Sequence, residues 1–353
     1  NLKLEQDAKT MRAIAEEAFA MVKAYKGSHS GEHGDGLVRS EFHETMYGAK
    51  TVRLFEEVKD RFDPRGMMNP GKIVRASRMN DRTLFRFKPD YRVPYMATAL
   101  DWSGYPGAGG GFQGAVEMCN NNGECRKLAG GTMCPSFRVT GNERDLTRGR
   151  ANSLRLAISG QLGAAALDSD EMLETMKLCV SCKGCRRECP TGVDMAKMKI
   201  EVLAAANRRR GLSLNDRLVA YLPRYAPYAA RASILMNARN DVPGVASLLE
   251  RVTGFTARRQ LPRWHLQPFR MPASVEPTPR SSGRSSPPVG EVALLADTFN
   301  TYFEPDNLHD AVDVLTRLGY RVSVLQSPDD TRRPICCGRT FLSAGLVDEA
   351  RAE

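Results

Sequence analysis

Cys179-Val180-Ser181-Cys182-Lys183-Gly184-Cys185-Arg186-Arg187-Glu188-Cys189-Pro190 is the stretch on which the reading of this 353-residue chain turns. Its spacing is C-x2-C-x2-C-x3-C-P. Three thiolates at three-residue steps can each hold one corner of an iron–sulfur cubane, while the turn between them aims backbone N–H groups at the sulfides. Gly184 supplies the backbone freedom that such a wrap demands, and Pro190 redirects the chain after the fourth cysteine. In two-cluster proteins that fourth cysteine ligates the other cluster, so a partner run is expected. Cys119-Asn120-Asn121-Asn122-Gly123-Glu124-Cys125, followed by Cys134-Pro135, supplies it.

Laid over the second run, Cys119 and Cys125 match the first and third ligands, and Cys134-Pro135 matches the crossing fourth. By this bacterial-ferredoxin rule one cluster takes Cys179, Cys182, Cys185 and Cys134, a full set. The other has Cys119, Cys125 and Cys189, with Asn122 standing where a cysteine is expected. It is either a [4Fe-4S] cluster with a non-cysteine fourth ligand (Asn122 or solvent) or a [3Fe-4S] cluster. Zinc is the competing use of cysteines, but a structural zinc site takes two separated pairs, and seven cysteines with two Cys-Pro steps overshoot it. A disulfide framework suits a short secreted chain, which this is not.

The rest of the composition bounds the answer. The chain carries 51 Lys and Arg against 41 Asp and Glu, a net charge of +10. With 42% hydrophobic residues and a mean hydropathy of −0.40, it has the profile of a soluble protein with two or three domains. No apolar run reaches the roughly 18 residues that a membrane span needs, and no basic-then-apolar leader precedes the first helix. A cytoplasmic location is expected, with a peripheral contact to the cytoplasmic face of a membrane as an option. Twelve arginines and no lysine lie between Arg208 and Arg270, against Asp216, Asp241 and Glu250. Such a surface suits an acidic partner or anionic lipid. The absence of a helix-turn-helix, RNP or zinc-finger signature argues against nucleic acid.

Around the cysteines, Thr147–Gln161 and Asp194–Ala206 read as helices. Arg148, Arg150 and Arg155 on the first either tune a nearby cluster or face solvent, the second being the simpler reading. Leu4–Lys26 is a long amphipathic helix ended by Gly27, and Lys50–Arg61 is another. Between them lies Gly31-Glu32-His33-Gly34-Asp35-Gly36, a glycine-punctuated turn that sets a carboxylate beside an imidazole, a pair able to bind metal or act as base. The glycine-rich stretch 104–114 lacks the tail of a phosphate loop and reads as a connector. Residues 272–290 form a Pro/Ser linker. Beyond it, a strand at 292–296, a helix at 307–318 and a strand at 321–325 begin a βαβ unit that runs into Cys336-Cys337-Gly338. One crossover is not a domain, so the sequence is expected to be a piece of a longer protein.

GEHGDG (31–36) followed by FDPRGMMNPGKI (62–73) resembles the C-terminal end of the FAD-linked oxidase family, which includes glycolate oxidase, D-lactate dehydrogenase and D-2-hydroxyglutarate dehydrogenase. The cysteine runs, TRGRANSLR and the later CCG are similar to the iron–sulfur partner of glycolate oxidase and anaerobic glycerol-3-phosphate dehydrogenase. Fused, they look like the large bacterial dehydrogenases that carry both FAD and iron–sulfur clusters. The resemblance implies a multi-domain α+β chain. Residues 1–78 would be the end of the oxidase domain, 79–115 a connector and 116–206 an α-helical two-cluster ferredoxin domain. A basic helical region at 207–271, the linker at 272–290 and the start of an α/β CCG domain at 291–353 would follow.

By the same resemblance, Glu32 ligates a divalent metal such as zinc and His33 is the base that takes the hydroxyl proton. Asn69, Gly71 and Lys72 lie near the flavin. The implied cofactors are FAD and two Fe–S clusters. The implied partners are a small 2-hydroxy acid and an electron acceptor, a quinone or a soluble carrier. The family often has a lone cysteine where this chain has 295–300, so Cys336 and Cys337 are read either as cluster ligands or as structural, redox-inert cysteines. The rival reading is a non-catalytic electron-transfer subunit, which would have no use for the Glu32–Gly36 loop.

Overall fold

A computed structural model describes residues 2–92, 94–105, 110–270, 274–277, 288–325 and 335–353. The chain divides into two compact units, residues 1–95 with 106–109, and residues 96–105 with 110–353.

The first unit is built on α1 (Glu5–Ala24), α2 (His43–Tyr47) and α3 (Ala49–Phe62). Helix α1 ends at Tyr25, with Lys26 already in the left-handed region (φ 57°), so the reversal comes one residue before the expected Gly27. Arg12 of α1 donates to Glu41 and to Asn80 (3.0 and 3.1 Å), tying both ends of the unit together. Phe19 meets His29 and Phe42 edge-on. Helix α3 buries none of its residues, and Leu54, Val58 and Phe62, one turn apart, stay exposed. An apolar stripe at that spacing is one face of an amphipathic helix. At its end Asp63 accepts from Lys59 (2.6 Å) and from the amides of Met67 and Met68. The Lys59 ammonium first, then those amides, hold the Asp63 carboxyl down to about 2.

The second unit is mostly helical. Its main core gathers α4 (Gly111–Glu117), α5 (Pro135–Thr140), α6 (Thr147–Ile158), α7 (Asp170–Lys177), α8 (Gly184–Glu188) and α9 (Met195–Arg210). Val116, Leu146, Leu154, Met176, Met198 and Val202 are fully enclosed there, and Cys119, Cys125, Cys134 and Cys185 belong to the same core. The glycine-rich stretch is more than a connector. Its far end starts α4, which buries Phe112, Ala115 and Val116, because apolar residues at helical spacing override the flanking glycines; its residues 106–109 lie outside the described residues. Arg150 also departs from the solvent-facing reading. It is 2% exposed, its Nε donates to the Thr175 carbonyl (3.0 Å), and Asp145 lies 3.9 Å away.

Glu201 fastens residues 96–105 to this core. Its buried carboxylate accepts from the amides of Ala99 and Leu100 (2.9 and 2.7 Å) and from Trp102 Nε1 (2.8 Å). Lys197 sits over the Trp102 ring at 4.1 Å.

The basic region is helical as expected, with α10 (Leu214–Ala220), α11 (Leu222–Arg231), α12 (Ser233–Asp241) and α13 (Val245–Thr253). Beyond it, β2 (Gly290–Leu294) and β3 (Tyr320–Val324) pair in parallel, Val292 opposite Val322, across α15 (Pro305–Arg317). This is the expected βαβ crossover. Part of the expected linker is a third strand: β1 (Ser274–Val275) pairs antiparallel with β3. An edge strand of two residues needs only backbone donors and acceptors, which composition does not reveal. Linker residues 272–273 and 278–287 lie outside the described residues. Two short helices, α14 (Thr298–Tyr302) and α16 (Arg339–Ser343), and then α17 (Val347–Ala352) complete the unit. Asn207 of α9 donates to the Ala344 carbonyl (2.6 Å), so the end of the chain packs on the helical core.

Replacing Glu201 by Ala leaves three donors unpaired, the buried Trp102 indole and the half-buried amides of Ala99 and Leu100. At roughly 1–3 kcal/mol per orphaned group, Glu201→Ala should lower stability by about 3 kcal/mol or more. Urea unfolding followed by tryptophan fluorescence measures it, and Glu201→Gln, which keeps an acceptor oxygen, should fall between.

Candidate functional site

In the second unit Cys134, Cys179, Cys182 and Cys185 line one cavity, together with Thr147, Arg150 and Met195. Two helix starts point into the thiols. At the beginning of α6 the Thr147 amide donates to Cys134 Sγ (3.1 Å), and the next amide, Arg148, reaches Cys125. At the beginning of α9 the Met195 amide donates to Cys185 Sγ (3.4 Å). Backbone N–H groups and positive helix ends favour thiolate over thiol, and hydrogen bonds to sulfur are a standard control of cluster potential. Burial alone would raise the pKa of Cys189, but the Thr191 hydroxyl (3.3 Å) and then the amides of Val193, Thr191 and Gly192 bring it below its usual value.

Helix α6 reaches this position because residue 149 is glycine. A Cβ there would lie 1.9 Å from the Glu143 carbonyl oxygen. Gly184 has a similar cause. Its backbone is not in the left-handed region; Ser181 (φ 54°) and Lys183 (φ 59°) make the turn instead. What Gly184 permits is close approach, since a Cβ would meet the Met133 backbone at 3.1 Å. Glu188 locks the two cysteine runs together by accepting from the Thr132 and Met133 amides (2.7 and 3.0 Å).

Asn122, which aligns with Cys182, has its amide engaged within its own loop: Nδ2 donates to Asn120 Oδ1 (2.6 Å), and Oδ1 accepts from the Glu124 amide (2.9 Å). The neighbouring Asn121, in the left-handed region at φ 65°, carries the oxygen that faces Cys119 Sγ, at 3.8 Å. Asn121 Oδ1 also accepts from Asn152 Nδ2 (2.9 Å), so both asparagine side chains are held by neighbouring groups. Lys199 donates to the Cys179 carbonyl (2.7 Å), and burial lowers its pKa. With Arg150 it places two cationic side chains beside the same cysteines.

In the first unit, Glu32 and His33 lie on an open turn, side chains 86% and 78% exposed, with Oε1 and Nε2 3.2 Å apart. Gly31, Gly34 and Gly36 all take positive φ. Arg39 clamps the turn by donating to the Ser30 and Gly34 carbonyls (2.7 and 3.2 Å). The structure joins this loop to the other segment of the resemblance, Asn69 to Ile73. Ser40 Oγ donates to the Gly36 carbonyl and accepts from the Ile73 amide (2.5 and 3.1 Å). Ile73, a β-branched residue at φ 69°, is held in that costly conformation by these bonds and by His43 Nδ1 at its carbonyl (2.9 Å). Gly36, Phe62, Met68, Asn69, Lys72 and Ile73 border an open cleft of about 610 Å³. Beneath the turn lie His29, Asp35 and His43, a buried group that the sequence reading did not single out.

These two regions correspond to two recognised kinds of domain. Residues 1–73 match the C-terminal domain of FAD linked oxidases, and residues 115–193 match the 4Fe-4S dicluster domain. Both kinds of domain that the resemblance implied are thus matched within one chain. It is 26% identical to D-2-hydroxyglutarate dehydrogenase of Escherichia coli over 358 residues and 28% identical to that of Pseudomonas putida over 362 residues. Each alignment covers 89% of this chain and 34% of the relative, so the chain spans about a third of the length of the curated relatives it matches. A shorter stretch of 58 residues, 16% of this chain and 12% of the relative, is 41% identical to D-2-hydroxyglutarate dehydrogenase of Stutzerimonas stutzeri. No solved structure matches. Among the described residues, no helix is long and apolar enough to cross a membrane.

Burial pushes the Cys125 and Cys185 thiols up to about 11. Without iron they stay protonated at neutral pH, and loading the clusters must release protons. In cluster-free protein at pH 8, iodoacetamide should label exposed Cys182 and Cys337 well before Cys125 and Cys185, the gap closing as pH approaches 11. Mass spectrometry of the labelled peptides checks this. Gly149→Ala should displace α6 and lower iron and acid-labile sulfide per chain, measured on anaerobically purified protein; full content would mean α6 shifts without cost to the thiols.

Proposed function

We propose that this chain is part of a flavin- and iron–sulfur-dependent dehydrogenase that oxidises a D-2-hydroxy acid to the 2-oxo acid, D-2-hydroxyglutarate being the best candidate. Electrons then leave through two clusters to a quinone or a soluble carrier. The observation that carries this reading is the presence, in one chain, of an accessible Glu–His turn in an FAD-linked oxidase segment and of seven cysteines in a dicluster domain.

FAD, when bound, supplies a two-electron acceptor for the C2 hydride and can release those electrons one at a time. The chain's own residues have distinct tasks. His33 takes the substrate hydroxyl proton as the C2–H bond breaks, leaving the carbonyl. Glu32 would hold a divalent metal, which would supply a positive charge for the substrate carboxylate. Their exposure on a clamped turn suits groups that must meet a substrate. Asn69, Gly71 and Lys72 would hold the flavin, with Asn69 and Lys72 bordering the cleft.

One [4Fe-4S] cluster rests on Cys134, Cys179, Cys182 and Cys185. The amides at the starts of α6 and α9 and the cations Arg150 and Lys199 offset the charge of its thiolates. The second rests on Cys119, Cys125 and Cys189, with Asn121 the side chain at its open corner or with three irons only. The βαβ segment from 291 onward is the start of a CCG-type domain, with Cys336 buried and Cys337 exposed. The arginine-rich helices of 207–271 form the docking face for the acceptor, either an acidic carrier or an anionic membrane surface.

In the full-length protein His33→Ala should cut turnover of D-2-hydroxyglutarate by roughly 10²–10⁴-fold, with iron content unchanged at about seven or eight per chain. Unchanged turnover would remove His33 from the reaction. Dye reduction by dithionite-reduced protein, with no response to any 2-hydroxy acid, would favour a pure electron-transfer subunit.

A further inference from the structure

His29, Asp35 and His43 form a buried nest of unlike polar groups in the first unit. Their side chains are 0%, 10% and 3% exposed. One ligand atom from each lies within 4.8 Å of the others. His43 Nε2 is 2.8 Å from Asp35 Oδ2, and His29 Nε2 is 3.9 Å from Asp35 Oδ1. His29 Nδ1 and Asp35 Oδ1 are buried with no hydrogen-bond partner. Orphaned polar atoms are rare in folded interiors and call for a cause.

The hydrogen bonding of His43 indicates one. Its Nδ1 lies 2.9 Å from the Ile73 carbonyl, which can only accept, so Nδ1 carries the ring proton. In a neutral imidazole the Nε2 lone pair then faces a carboxylate oxygen at 2.8 Å, and something positive must stand with them. His29 Nε2 lies 3.3 Å from the Arg39 carbonyl, so a proton shared by His43 and Asp35 would satisfy that pair alone and leave Asp35 Oδ1 and His29 Nδ1 without partners. A divalent ion draws on all three side chains. An Nδ1–H bonded to a backbone carbonyl is also how metal-bound histidines are usually oriented.

We propose that His29, Asp35 and His43 bind one divalent transition-metal ion, zinc by donor set, with a water completing four-coordination. His29 and Asp35 flank the turn that carries Glu32 and His33, and His43 comes from α2, so the ion pins both ends of the turn to the helix. The site is separate from Glu32, whose side chain is exposed, and it stands whether or not the chain serves a dehydrogenase.

The test uses full-length protein with its clusters loaded, exposed to excess zinc and desalted, with zinc per chain read by mass spectrometry. Glu32→Gln should retain about one zinc. Adding Asp35→Asn or His43→Gln to that variant should remove it, with affinity falling by roughly 10-fold or more. Zinc K-edge absorption of the Glu32→Gln protein, which needs no variant of the nest itself, should show a nitrogen/oxygen shell near 2.0–2.1 Å. Zinc lost in Glu32→Gln alone, zinc retained in the double variants, a sulfur-only shell, or no zinc bound at all would each overturn the proposal.

Discussion

Burial of thiols inside a small helical core is the constraint on which the second unit depends. Cys119, Cys125, Cys134 and Cys185 take core positions beside Leu146, Leu154 and Met176. A thiol so placed resists ionisation, as the raised pKa values of Cys125, Cys134 and Cys185 express. Yet the amides of Thr147, Arg148 and Met195 are aimed at these same sulfurs. The two tendencies are reconciled when iron replaces the protons: the metal stabilises the thiolate, and the amides then bond a charged sulfur. The helices α6 and α9 are therefore ordered by the same groups that hold the clusters.

That arrangement explains several residues with no chemistry of their own. Gly149 lets α6 come close enough to Glu143 for its first amides to reach Cys134 and Cys125. Glu188 binds the loop before Cys134 to the helix that carries Cys185, so the two cysteine runs form one structure. Glu201 closes the outside of α9 by collecting three donors from residues 99–102. Arg150, buried against Asp145 and the Thr175 carbonyl, joins the cavity wall.

The first unit follows a different logic, with polar bonds in place of a large core. Helix α3 buries nothing, while Ser40, His43 and Arg39 fasten the Glu32–His33 turn to the Ile73 backbone and to Ser30. Such a scaffold leaves the turn accessible and keeps its geometry fixed.

Much of this was legible in the sequence, because it rests on local spacing. The C-x2-C-x2-C-x3-C-P run, the helices from Thr147 and Asp194, and the βαβ pattern after residue 290 depend on neighbours a few positions apart. The tertiary structure alone decided what depends on distant ones. Arg150 reads as a surface residue until Thr175 and Asp145 close over it. Asn121 rather than Asn122 faces Cys119 because of one left-handed backbone angle. Ser274 and Val275 become a strand because β3 offers an edge. His29, Asp35 and His43, spread over fifteen residues across a turn and a helix, meet only when the chain folds, since no periodicity links them.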